Sequence, residues 1–309
     1  MLANMLAMTA ALGLPRKIVL GFVDSEVNRL LNLDSQREVA FSIVSLGHVR
    51  EEPPMAPGDI PALTFSTVPV SQNEVEYPEL REIHEASSLQ TPEDVADWRA
   101  RARGIIPGTD TESLKYKRFG VRPRNYPSSD PIEQVILRRG STRKFERQSI
   151  PLEQLRTILE ASTQPVWPGF SLLNHVYLIV NAVDGMEAGA YYFHVDTGEL
   201  ELLKPGNFRG EARYLGLQQD LPGDAAADVF FLADLHPILE TFGNRGYRAT
   251  QLEAGIIGGR MYLAAYALLL GATGLTFFDD DVTTFFSPHA AGKSAIFLLA
   301  LGKGRKPPR

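Results

Sequence analysis

Residues 264–302 read AAYALLLGATGLTFFDDDVTTFFSPHAAGKSAIFLLALG, and residues 6–47 read LAMTAALGLPRKIVLGFVDSEVNRLLNLDSQREVAFSIVSLG. Both stretches open with an apolar, small-residue helix that stops at a glycine (Gly271, Gly13), followed by a Phe-x-Asp step. Each continues with a short helix (Val282–Phe286, Val27–Leu31) and a β-type run closing on Leu–Gly (Leu301–Gly302, Leu46–Gly47). A basic tail ends each, Lys303–Gly304–Arg305 in one and His48–Val49–Arg50 in the other. A matched order of this length reads as an internal repeat. The later copy closes a unit of ordinary domain length that opens near Ser128. No such unit precedes the earlier copy. Residues 1–50 are therefore expected to be the C-terminal half of a first domain, 51–127 a connector and 128–309 a complete domain.

The connector is rich in proline and charge and is expected to wrap the surface without a core of its own. Within it, Thr91–Pro92 reads as an N-cap and a first-turn proline opening a helix through Trp98, while Pro69 and Pro78 interrupt anything longer before it. From Ser128 the element types alternate. Helices are expected from Asp130 to Gly140, with Ile132, Val135 and Ile136 on one face, and over Pro151–Ser162, with Leu152, Leu155, Ile158 and Leu159 at helical spacing. Strands are expected at His175–Val183, Ala190–Val195, Glu199–Leu203, Ala227–Ala233 and Ser294–Leu301. The class is α+β.

The 309 residues are 44% hydrophobic and 22% charged, enough for a sizeable core. A net charge of −6 gives no electrostatic case for a nucleic-acid partner. The absence of cysteine excludes disulfides, thiolate metal sites and a cysteine nucleophile, and fits a cytoplasmic location. Met1–Leu14 is apolar but lacks the basic start of a signal peptide. Ile256–Leu275 nears membrane-span length, yet Arg260 and its glycines suit a buried helix. Helix Leu2–Leu14 of the half-domain is expected to leave an apolar face in water, and hence to pair with another domain or a second copy.

Two basic clusters carry the chemistry. Residues 136–145, ILRRGSTRKF, place Arg138, Arg139, Arg143 and Lys144 with the hydroxyls of Ser141 and Thr142 just past a helix that ends in glycine. A phosphate needs several N–H and O–H donors plus positive charge, and arginine offers a planar fork for it. Gly302–Lys303–Gly304–Arg305 follows a buried strand, where glycines let backbone come close to a ligand. Taken singly, these are a solvated basic turn and a frayed basic terminus. Other suggestive patterns fail. Gly292–Lys293–Ser294 lacks the glycine and the following helix of a P-loop, the histidines show no ligand spacing, and Asp279–Asp281, by comparison with Asp24, reads as helix capping.

Arg138–Phe145 resembles the R-x-S-x-R-x-F opening of nitroreductase-like flavoproteins. Arg245–Gly246–Tyr247–Arg248, Leu252–Glu253–Ala254–Gly255, Tyr262–Leu263–Ala264–Ala265 and the Gly189–Phe193 strand resemble the SagB/ThcOx-type dehydrogenase branch. The resemblance runs from about Asp130 to Arg305. It implies a central mixed sheet flanked by helices, with FMN bound where two such domains meet. Arg139 and Ser141 would hold the FMN phosphate with Lys303 and Arg305, Arg143 would face the flavin N1/O2 edge, and Thr273–Gly274 would lie along the isoalloxazine. No metal is implied. The implied activity is that of an FMN-dependent oxidoreductase passing two electrons by hydride transfer through flavin N5 in a ping-pong cycle, with a small-molecule or peptide substrate. The alternative is a catalytically degenerate flavin-binding scaffold subunit of a peptide-modification complex. The sequence departs from the family in two places. Pro165–Phe170 replaces a Pro–Ser–Gly–Gly-like turn, and Thr241–Phe242 replaces the Lys–Tyr pair of azoline-oxidising members.

Overall fold

A computed structural model describes residues 1–47, 61–66, 68, 71–102, 118–120, 130–166 and 172–304. The chain opens with α1 (Leu2–Ala11), β1 (Arg16–Val19), α2 (Asp24–Leu30) and β2 (Ile43–Leu46). Next come α3 (Pro78–Ala86), α4 (Pro92–Ala102), β3 (Arg118–Gly120), α5 (Ile132–Arg138), β4 (Ile150–Pro151) and α6 (Leu152–Ser162). Four strands follow, β5 (His175–Val180), β6 (Val183–Asp184), β7 (Gly189–His194) and β8 (Glu199–Pro205), before α7 (Arg209–Leu215) and α8 (Asp220–Asp224). The chain then runs through β9 (Ala227–Ala233), α9 (Leu235–Phe242), α10 (Arg245–Ala267), β10 (Gly271–Leu275), α11 (Asp279–Phe286) and β11 (Ser294–Gly302). Two compact units result. Met1–Met8, Ile106–Leu235 and Thr250–Arg309 form the first, and Thr9–Ile105 with His236–Ala249 the second.

The first unit is built on a seven-stranded sheet of order β10-β11-β9-β5-β7-β8-β3. The α+β class and the helix-flanked sheet hold. In detail, every neighbouring pair of this sheet is antiparallel, and the parallel pairing expected of a mixed sheet is found in the short β4·β6 pair. Strand β9 is buried at all of its positions because both faces of the sheet are covered, which is why it reads as an apolar run interrupted only by Asp228. On one face, Tyr177, Ile179, Phe230, Leu232 and Leu298 pack with Ala212 and Leu215 of α7 and Val282 and Phe286 of α11. On the other, Phe231 stacks on Phe297 at 5.9 Å, and Phe297 in turn fills the space above Gly258 of α10, where a Cβ would come within 2.5 Å of its ring.

Two expectations are corrected here. The apolar stretch Ile256–Leu275 is not one helix. Helix α10 ends at Ala267, Leu269 takes a left-handed φ of 60°, and Gly271 begins β10. Nor does α1 leave its whole face in water. Ala3 and Leu6 are buried, and Ala3 sits so near Gly259 of α10 that a Cβ there would lie 2.6 Å away. The exposed part of the Leu2–Leu14 segment is its end, from Ala10 to Leu14. No helix among the described residues is long and apolar enough to cross a membrane.

In the second unit β1 and β2 pair antiparallel, as β10 and β11 do in the first, and the α1–β2 and α10–β11 segments share the order helix–strand–helix–strand. Thr91 and Asp94 close a reciprocal box at the start of α4, Thr91 Oγ1 accepting from Asp94 N–H and Asp94 accepting from Thr91 N–H. Pro78 begins α3 at its first turn, where a missing N–H costs nothing. Asp24 is no helix cap. Its buried carboxylate binds the guanidiniums of Arg245 and Arg248 at 2.7 Å and accepts the Leu89 N–H at 2.9 Å. Arg245 lies over Phe22 and Arg248 over Phe41. Burial, and after it the Arg248 charge, hold His84 below its ordinary pKa, so its Nδ1 is free to accept from Arg248 Nη2.

Glu253, fully buried on α10, fixes the chain entering β5. One of its oxygens accepts from Leu173 N–H at 2.7 Å, Asn174 N–H at 3.0 Å and Asn174 Nδ2 at 2.9 Å. Burial outweighs these bonds and the Arg260 charge and pushes the carboxyl up to about 7. Between the ordinary 4.5 and about 7 the folded protein therefore holds a proton that the unfolded chain has released, and stability falls as pH rises through that window. Glu253→Gln keeps the acceptor oxygen and is expected to remove this slope, a difference of about 3 kcal/mol at most. Urea unfolding midpoints at about pH 5 and about pH 8 check it. The same slope in both proteins would mean that Glu253 does not titrate there.

Candidate functional site

The site begins where α5 stops. Arg138 is committed to structure, bonding Asp130 at 2.7 Å and the Tyr266 carbonyl at 2.9 Å. At Arg139 the backbone turns extended, and the chain then runs beside the sheet. Thr142 N–H donates to Ala272 O at 2.9 Å, Phe145 bridges to Gly304, and Glu146 N–H donates to Lys303 O at 3.0 Å. The two basic clusters, some 160 residues apart in sequence, are thus held side by side along β10 and the end of β11.

Glycine makes this approach possible. A Cβ on Gly271 would stand 2.2 Å from Thr142 Oγ1, and one on Gly302 would stand 3.1 Å from the Phe145 ring. A second set of contacts converges on Tyr262 of α10. Its hydroxyl accepts the Gly274 N–H at 2.5 Å and lies 3.4 Å from Ser141 Oγ, while the Arg139 guanidinium sits 5.1 Å from its ring centre. One helical turn on, Tyr266 OH lies 3.3 Å from Thr142 Oγ1.

Of the residues expected at the site, Arg139, Ser141 and Gly274 meet at Tyr262, and Lys303 follows β11 with Nζ on Gln148 at 3.0 Å. Arg143 is exposed. Thr273 is buried. Arg305 lies outside the described residues, as does the 167–170 part of the Pro165–Phe170 turn. Tyr262 and Tyr266 were not expected as site residues. Their signal is the four-residue spacing of two hydroxyls on one helix face. Arg139 Nε is buried without a hydrogen-bond partner, a donor that an anionic ligand oxygen would satisfy. Thr241 Oγ1 donates to Pro237 O at 2.7 Å, and Phe242 is buried against Trp98.

Fold and site define an α+β protein with a cationic, donor-lined cradle at the β10 edge of its sheet. The nitroreductase family profile matches residues 136–301, more than half of the chain, and the chain belongs to that family. It is similar to a protein classed as a nitroreductase from Methanocaldococcus jannaschii, 24% identical over 162 residues that cover 49% of this chain and 81% of that protein. The crystal structure of a protein from Anabaena variabilis classed as a nitroreductase shares 26% identity and a TM-score of 0.77, covering 98% of this chain. This chain spans 63% of that one. A second protein so classed, from Ralstonia eutropha, shares the fold at a TM-score of 0.52 and 20% identity, covering 66% of this chain and 97% of its own.

Gly271→Ala tests the approach on which the cradle rests. The added methyl must displace Thr142 and is expected to cost about 1–3 kcal/mol. Gly210→Ala, where nothing lies within 4 Å of the added carbon, is the control. Thermal unfolding compares the two, and equal melting points would show that Thr142 can move at no cost.

Proposed function

We propose that this protein is an FMN-dependent oxidoreductase of the SagB-type branch. Members of its family bind flavin, and the cradle has the donors that a flavin phosphate needs. The observation that carries the reading is the buried, unpartnered Arg139 Nε beside Ser141, laced to the Lys303 strand end. In this reading Arg139, Ser141, Lys303 and Arg305 hold the phosphate. Tyr262 orients Arg139 and Ser141. The backbone of Thr273–Gly274 lies along the ring system, and Arg143, exposed, faces the N1/O2 edge. FMN, when bound, supplies two-electron transfer. A guanidinium at that edge favours the electron-rich form, because it neutralises charge that develops there.

The substrate is a small molecule or a peptide, and a second nitroreductase-like domain completes the site. That domain is a second copy of this chain or a domain of which residues 1–50 are the C-terminal half, a reading supported by the shared helix–strand–helix–strand order. A scaffold role in a peptide-modification complex is the second reading, favoured by Thr241 and Phe242. Neither side chain can take a proton from substrate, so azoline oxidation without another base is not expected.

The purified protein is expected to be yellow, or to take up added FMN. A colourless protein that binds none overturns the reading. Arg139→Ala loses a charge-assisted bond of about 2 kcal/mol and is expected to weaken FMN roughly thirtyfold. Arg143→Ala is expected mainly to lower the flavin reduction potential. Fluorescence titration and potentiometry of both variants separate the roles, and the reverse pattern would exchange them.

A further inference from the structure

The second unit holds a cavity of about 280 Å³ lined by Asp94, Asp97, Trp98 and Arg101 of α4 with Phe242 and Arg245, among others. Small-molecule sites run from about 300 to 1,000 Å³, so this one suits a ligand the size of an amino acid and is too small for a flavin nucleotide. Its two ends differ in charge. Arg245, 2% exposed, forms the buried end, and it shares the single Asp24 carboxylate with Arg248. Two guanidiniums on one carboxylate, beside a His84 kept neutral by burial, leave an excess positive charge inside the protein, which an anion would relieve. Arg245 gives Nε–H and one Nη2–H to Leu20 O and its Nη1 hydrogens to Asp24 and Ser87 O, so an Nη2–H remains without a partner among the described residues.

The Trp98 Nε1–H is likewise buried without an acceptor. A carboxylate reaching both donors would satisfy them. At the exposed end stand Asp94, Asp97 and Arg101. Asp94 is occupied by the N–H groups of Gln90 and Thr91, which leaves Asp97, one turn further along α4, to meet a cation. The Trp98 and Phe242 rings, 6.1 Å apart and tilted by 43°, form an apolar wall between the two ends. With two acidic and two basic side chains in its lining, the cavity favours a ligand of no net charge that carries both signs.

We infer that this cavity binds a free α-amino acid with an apolar side chain, carboxylate toward Arg245 and Trp98, ammonium toward Asp97, side chain against Trp98 and Phe242. The inference is independent of the flavin-binding reading, since it uses none of the residues proposed to hold FMN. Trp98 and Trp167 are the two tryptophans of the chain, so Trp167→Phe leaves Trp98 as the only indole reporter. Titrating that full-length variant with L-leucine is expected to change its fluorescence saturably. Leucinamide, which lacks the carboxylate, and 4-methylpentanoate, which lacks the ammonium, are each expected to bind about tenfold more weakly or worse. Calorimetry on Trp98→Phe, which keeps the apolar wall but loses the N–H, and on Asp97→Asn, at an exposed position, is expected to show leucine weakened by a similar factor, with unchanged circular dichroism. No saturable response to leucine or phenylalanine at about 10 mM, or equal binding of leucine and either truncated probe, overturns the proposal. So does unchanged leucine affinity in both variants.

Discussion

The backbone bond from Thr142 N–H to Ala272 O is the constraint on which the candidate site depends. Strand β10 is the edge of the sheet, and an edge presents unpaired carbonyls that need partners. The segment after α5 supplies one, and the Phe145–Gly304 bridge and Glu146–Lys303 bond extend the lacing to the end of β11. Backbone pairing of this kind positions Arg139 and Ser141 more firmly than a side-chain contact could, because it fixes the peptide and leaves each side chain only its own torsions to settle. Gly271 is the residue that permits it. Tyr262 then braces the cradle from beneath, with its ring under Arg139 and its hydroxyl between Ser141 and Gly274.

Buried ionisable groups are handled in two ways. Asp24 has two guanidiniums within hydrogen-bond distance of its carboxylate. Removing that carboxylate would strand two buried cations, a loss on the order of 3–5 kcal/mol. Asp228 and Glu253 have neutral amide donors as partners, the Asn181 side chain for the first and the Leu173 N–H with the Asn174 N–H and side chain for the second. Burial therefore dominates, and both carboxyls are pushed up, Asp228 well above the usual range. Asp228 is the second residue of an otherwise apolar, wholly buried strand, where a neutral acid costs far less than an anion.

The α+β class, the strand positions and the basic clusters were legible in the sequence because local patterns carry them. The apolar runs of β9 and β11, the helical spacing in α6 and the Thr91–Pro92 start of α4 each rest on side chains close together in the chain. Element ends were less legible. Helix α10 stops at Ala267 since Leu269 turns left-handed, a backbone choice that an unbroken apolar run does not announce. Asp24 looked like a cap from its place before a short helix, and nothing local reveals cations more than two hundred residues away.

The sequence by itself determined which residues could bind an anion, since charge and hydroxyl groups at Arg139, Ser141, Arg143 and Lys303 are properties of the side chains. Only the tertiary structure decided which of them act together. Arg138, equal to Arg139 in sequence terms, is spent on Asp130 and the Tyr266 carbonyl, while Arg139 keeps a buried N–H without a partner. The difference is one of direction. Two successive residues at the end of a helix point to different surroundings, and what lies there is set by strands and helices that the chain reaches more than a hundred residues later.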